Sequence, residues 1–164
     1  MNSRPIETFR QHISERVRNL LVDPLMLDET EYLRWLSMAK TTLKSAEGDL
    51  ERGDYNWACF KAQQSAEFSL KALHHGLGLL GYGHSLSRLF IELRDKGLRF
   101  DEALLESAKA LDKLYVPTRY PSAWAEGAPH EYYTRSDAEE AIRAAREIIG
   151  WVEKIWRSLS REGV

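Results

Sequence analysis

Cysteine is almost missing from this chain. Cys59 is the only one, which excludes an intramolecular disulfide framework and any metal centre built on paired thiolates. No run of 18 apolar residues occurs, so no helical membrane span is expected, and the N-terminal MNSRPIETFRQHISERVRNLL lacks the continuous apolar stretch of a secretory signal. A cytoplasmic protein with no membrane partner is the expectation. Charge of one sign is not in surplus either. The 23 Lys and Arg against 25 Asp and Glu leave a formal charge of -2, so any contact with nucleic acid has to come from a local patch. Strand patterning is absent, and with it any strand-borne glycine-rich phosphate loop; the GLG and GYG pieces between residues 76 and 83 are too short and apolar to serve as one. GxSxG and HExxH do not occur, and His74 and His75, being adjacent, diverge by about 100° on a helix. No metal and no cofactor is expected.

Helical periodicity fills the space these absences leave. The stretch DYNWACFKAQQSAEFSLKALHHGLGLLG, residues 54–81, reads as one long central helix with two apolar faces. Tyr55, Ala58, Cys59, Ala62, Ala66, Leu70, Leu73 and Leu77 share one side, and Trp57, Phe60 and Phe68 share the other. Between them runs a polar ridge of Asn56, Gln63, Glu67 and His74, with Glu67 four residues before Lys71 in the orientation that favours an ion pair. Such a helix wants neighbours on both flanks, and the second face, bearing Trp57, Phe60 and Phe68, is the candidate surface for pairing with another copy.

An accessory helix is expected over residues 5–22, from Pro5 with Ile6, Phe9, Ile13, Val17 and Leu20, before Pro24 breaks it. A second runs from about Asp28 to Arg52 on a narrow stripe of Tyr32, Leu36, Ala39, Leu43, Ala46 and Leu50. Gly53-Asp54 is so short a connection that it packs antiparallel to the central helix. Ser85 caps a short helix that stops at Gly97, Asp101 caps another that runs until Pro117, and a capping box of Ser136 and Glu139 opens the last. The expected fold is all-α: an up-and-down four-helix bundle core with additional short and N-terminal helices, one domain over residues 1–164 with the bundle at 28–161.

Residues 117–136, PTRYPSAWAEGAPHEYYTRS, carry no period and exceed the usual connection of about 4 to 6 residues. Tyr120, Trp124, Tyr132 and Tyr133 among Arg119, His130 and Arg135 suit either a site that stacks a base and holds a phosphate, or a lid whose rings plug the bundle. For chemistry without a metal, a histidine acting as acid or base and an arginine to stabilise charge are the minimum. The candidate pairs are Arg119 with His130, and His84 with Arg88.

Four blocks in order, GDYNWACFKAQQSAEFSLKALHHGLG, GHSLSRLFIEL, LDKLYVPTRYPSAW and TRSDAEEAIRAAREIIGWV, resemble the HEPN domain, a higher eukaryotes and prokaryotes nucleotide-binding family, over about residues 28–157. The resemblance falls on Tyr55, Ala58, Phe60, Gln63, Gln64, Glu67 and Leu70-Lys71-Ala72, on His84-Ser85-Leu86 and on Arg119-Tyr120-Pro121. It implies a helical bundle that pairs as a homodimer and works with a minimal nucleotidyltransferase, often as a toxin and antitoxin pair in which the HEPN member is a metal-independent ribonuclease. That nuclease activity is associated with an Arg followed four to six residues later by His. No Arg here has His at that spacing, so the resemblance favours a non-catalytic module that binds a nucleotide, RNA or the partner through Gln63, Glu67, Lys71, His84, Arg119 and Tyr120. A divergent ribonuclease using Arg119 and His130, and a purely structural dimerisation domain, are the alternatives.

Overall fold

The computed structural model describes residues 27–161, and the accessory helix expected over residues 5–22 lies outside them. Helix α1 (Glu29–Arg52) starts where the Asp28 carboxylate accepts the Glu31 N–H at 2.9 Å, and Glu29 and Glu31 suit the positive end of the helix. It stops at Gly53, whose φ of 83° is open to glycine and strained for other residues, and whose N–H closes onto the carbonyls of Asp49 and Leu50. Helix α2 (Tyr55–Gly76) begins at once and therefore runs back along α1. Ala39 and Ala46 of α1 and Ala58, Ala62 and Ala66 of α2 are fully buried, and the backbones approach closely enough for the Ser65 hydroxyl to donate to the Ala39 carbonyl at 2.7 Å.

Helix α2 is unbroken but ends at Gly76 rather than running to residue 81. The Asp28 N–H takes the Gly76 carbonyl at 2.9 Å, Leu77 and Leu79 fold back onto Leu73 and His74, and Gly78 turns at a φ of 71°. Gly76 is also where Trp156 presses against the helix: a Cβ there would fall 2.4 Å from a carbon of that ring.

Helix α3 (Leu86–Asp95) follows Ser85, which caps it through the Arg88 N–H, and α4 (Glu102–Asp112) follows Asp101. The expectation that α4 runs to Pro117 is corrected: the Leu114 N–H turns back three residues to the Leu111 carbonyl at 2.9 Å, and the helix ends at Asp112. Its carboxylate accepts the N–H groups of Leu86 at 2.6 Å and Ser87 at 3.1 Å, together with the hydroxyls of Ser85 and Ser87, and so holds the start of α3. Residues 113–119 continue as turns. Helix α5 (Arg135–Arg161) is opened by Thr134 and Asp137 and not by Ser136 and Glu139. The Thr134 hydroxyl accepts the Asp137 N–H while the Asp137 carboxylate accepts the Thr134 N–H, and Glu139 pairs instead with Arg135 at 3.6 Å.

Tyr32 stacks on Trp156, Lys40 pairs with Glu153 and Glu47 with Arg146, so α5 is antiparallel to α1. The three long helices α1, α2 and α5 form three rods of the bundle, and α3 and α4 together fill the fourth place. Leu70, Leu73, Leu86, Leu89, Phe90, Leu93 and Ile148 are fully enclosed, each contributing about 1.5–3 kcal/mol. No strand occurs among the described residues, and none of their helices is long and apolar enough to cross a membrane.

Candidate functional site

The ridge of α2 is buried, and its Gln63 and Glu67 are joined with Gln64, Lys71 and His84 into one network. Glu67 lies at its centre with 1% of its surface exposed. One carboxylate oxygen accepts Lys71 Nζ at 2.8 Å and His84 Nδ1 at 3.1 Å, and the other accepts the side-chain amides of Gln63 at 3.2 Å and Gln64 at 3.0 Å. Gln63 spends its second amide proton on the His84 carbonyl at 3.1 Å and accepts from Gln64 at 2.6 Å. A buried carboxylate is tolerable because its charge is matched by Lys71 and its lone pairs are filled. The segment carrying His84 can lie this close because Gly81 has no side chain. A Cβ there would stand 3.1 Å from Lys71 Cγ and 3.3 Å from His74 Cβ.

Arg119 arrives from the turns after α4. The buried Asn56 of α2 donates to the Thr118 carbonyl at 3.0 Å, and the Thr118 hydroxyl donates to the Leu114 carbonyl, fixing the turn on the bundle. Arg119 Nε donates to the Tyr115 carbonyl at 2.8 Å, and its guanidinium carbon lies 4.4 Å from the ring centre of Phe60, 4.5 Å from Tyr115 and 4.9 Å from Tyr120. The His84 ring stacks on the same Tyr115 ring at 4.6 Å and 17°. Imidazole and guanidinium thus share one phenol ring at a rim where His84 and Tyr120 are about half exposed. No carboxylate lies within 4 Å of Arg119 among the described residues, so the rim carries a cation without a counter-charge.

Six residues singled out by the sequence therefore share one locality: Gln63, Glu67 and Lys71 below, His84, Arg119 and Tyr120 above. His130 does not join them. It is exposed in the short turn Pro129–Glu131, and no hydrogen bond, ion pair or ring contact among the described residues links it to Arg119. Arg88 faces Glu92 at 3.7 Å and makes no bond to His84. The loop aromatics largely serve each other: Trp124 stacks on Tyr132 at 4.1 Å, meets Tyr133 edge-on and donates to the Pro117 carbonyl, as a plug would. Phe60, which the sequence places on the outer ring face and in the family pattern, and Tyr115, which it places on an apolar helix face, both flank the Arg119 guanidinium. The signal for Tyr115 is its place four residues before Arg119.

Two nearby groups have altered titration. Burial pushes the Cys59 thiol up to about 12, so it is not a nucleophile at neutral pH. Burial also lowers the pKa of His74, whose Nδ1 meets the Leu70 carbonyl at 2.8 Å and whose Nε2 stands 3.4 Å from Glu92 with no hydrogen bond. Among the described residues no cluster of three His, Cys, Asp or Glu side chains is arranged to hold a metal ion.

The sequence pattern of the HEPN domain matches over residues 32–155. TT1696 from Thermus thermophilus is 46% identical with a TM-score of 0.73, over 75% of this chain and 96% of its own. ST0689, an archaeal HEPN homologue, is 38% identical with a TM-score of 0.64 over 75% and 95%. The HEPN domain protein tm0613 of Thermotoga maritima is 33% identical with a TM-score of 0.62 over 76% and 98%. No curated protein matches the chain.

Proposed function

Because the chain belongs to the HEPN domain family, we propose that it is a helical binding module that works with a minimal nucleotidyltransferase, as one member of a toxin and antitoxin pair, and takes a nucleotide or that partner at the His84, Arg119 and Tyr120 rim. Gln63, Glu67 and Lys71 support the rim from below. The observation that carries this reading is the guanidinium of Arg119, held by three rings and its own turn with no carboxylate to offset it, beside a half-exposed tyrosine. A phosphate supplies the missing charge and a base stacks on the ring. The test mixes the protein with a candidate nucleotidyltransferase and titrates nucleotides by calorimetry. A stable complex or saturable binding is expected, and the absence of both contradicts the reading.

The second reading is a metal-independent ribonuclease, and one observation favours it: His84 and Arg119 meet on one ring, an acid-base group beside a charge stabiliser. RNA cleavage in chelator that His84→Ala abolishes and His130→Ala spares supports this pair. Loss with His130→Ala alone transfers the role to the loop histidine.

We also propose a homodimer through the outer face of α2. Its rings differ in cover: Trp57 is 45% exposed, Phe60 lies under Arg119, and Phe68 leans on Trp35. Trp57 is therefore the anchor of that face. Equilibrium sedimentation is expected to give a dimer at micromolar concentration that Trp57→Ala weakens, and a monomeric wild type removes the proposal.

A further inference from the structure

We propose that Glu67, which a ligand cannot reach, is a positioning residue: it decides which nitrogen of His84 the site offers, and so makes binding of a phosphodiester at the rim dependent on pH. The binding half of this proposal rests on the nucleotide reading above.

With 1% of its surface exposed and both oxygens filled by four donors, Glu67 has nothing to give a ligand directly. The Lys71 ammonium lies 2.8 Å from its carboxylate, and a carboxylate can only accept. The 3.1 Å contact to His84 Nδ1 therefore requires the ring proton on Nδ1. That is the opposite of the form a free neutral imidazole prefers. The ring cannot turn away easily, because Gln63 holds the His84 carbonyl and Tyr115 holds the ring face. Nε2 is left as the uncommitted nitrogen of a side chain that is 54% exposed.

In the neutral ring Nε2 is a bare lone pair, which repels an anionic oxygen. Once the ring takes its second proton at acid pH, Nε2–H becomes a charged donor, with Arg119 on the same Tyr115 ring. Among the groups around His84, the Arg119 guanidinium across the Tyr115 ring is the one like charge that works against this change, and the Glu67 carboxylate at Nδ1 works for it. From α2, Glu67 is already matched by Lys71. From the turn after α4 come Tyr115 and the unpaired Arg119. On α3, Arg88 faces Glu92, and the Asp112 carboxylate is occupied by residues 85–87. A phosphodiester suits such a rim, carrying one negative charge at every relevant pH.

Two measurements test the two halves separately. Two-bond nitrogen–proton NMR of the histidine rings at about pH 8 reads the form of His84. A proton on Nδ1 is expected, moving toward Nε2 in Glu67→Gln/Lys71→Met, a pair of changes that removes both buried charges together. A proton on Nε2 in the wild type, or no change in the double variant, overturns the positioning role. The dinucleotide adenylyl-adenosine is then titrated by calorimetry at about pH 5.5 and pH 8, with adenosine as control. Binding of the dinucleotide is expected to be about tenfold tighter at the lower pH in the wild type, with that ratio lost in the double variant and in His84→Phe, which keeps the ring stack. Equal affinity at both pH values overturns the pH dependence. Absence of binding at either pH overturns it together with the nucleotide reading, while the NMR result still decides the role of Glu67.

Discussion

On the side of α2 that meets α1 and α5, the buried residues are small or aliphatic, mainly alanines and leucines with Cys59, Ser65 and Gly76, packed against Tyr32, Trp156 and the aliphatic face of α5. On the side that meets α3 and the turns after α4, Asn56, Gln63, Glu67, Lys71 and His74 are buried instead. The first flank is held by shape, and its tolerance is set by volume. The second is held by hydrogen bonds and one enclosed ion pair, which contribute little net stability when complete and cost much when half removed. A polar flank of that kind is a poor way to stabilise a bundle that has apolar alternatives. Its use here fits a need to position His84 and Arg119.

The contrast can be broken most forcefully at Glu67. Glu67→Ala leaves Lys71 buried and unpaired and is expected to lower unfolding stability by about 3–5 kcal/mol in urea titration. Glu67→Gln/Lys71→Met is expected to stay within about 1 kcal/mol of wild type, because both charges leave together. A large loss in both would make the ion pair itself a stabiliser of the fold. On the shape flank, Gly76→Ala drives a methyl into Trp156 and is expected to lower stability by about 1–3 kcal/mol, without altering ligand binding at the rim. Asn56→Ala frees the Thr118 carbonyl and is expected to lower stability by about 1–2 kcal/mol, while also weakening binding through displacement of Arg119. Equal binding before and after that change would show that the turn needs no tether.

The smallest effect belongs to His74. Burial depresses its folded pKa, so below the ordinary histidine value of about 6.5 the unfolded chain takes up a proton that the folded one resists. Stability is therefore expected to fall as pH drops from about 6.5 toward that lower value, and the fall should be shallower in His74→Gln. Urea midpoints measured across that range read the difference.

The shape flank was the legible one. Period-3.6 spacing of Ala58, Ala62, Ala66, Leu70 and Leu73 names the buried face, and Gly53 and Ser85 mark helix ends by local chemistry. The polar flank was legible as a ridge, and the six residues proposed for binding do gather there. What joins them was hidden, because the joining bonds span long stretches of chain: Asp112 to the start of α3, Asn56 to Thr118, Glu67 to His84. No periodicity encodes such contacts. At the α4 boundary Leu111 and Tyr115 continue a helical spacing, while the backbone tightens into three-residue turns after Asp112. At the start of α5 the spacing of Ser136 and Glu139 reads as a capping box, yet Thr134 and Asp137, at the same spacing two residues earlier, form it. His130 and Arg119 stood close in the sequence, and the stacking of Trp124, Tyr132 and Tyr133 into a plug left the histidine on the outside.

Whether the polar flank exists for binding is decided most directly at Arg119. In Arg119→Gln, calorimetric titration with nucleotide and thermal unfolding are followed on the same sample. The prediction is a loss of affinity of at least about tenfold with stability lowered by no more than about 2 kcal/mol, the scale of its ring contacts. Unchanged nucleotide affinity, or a collapse of stability in a protein whose wild type binds no nucleotide, would contradict it and make the cluster packing alone.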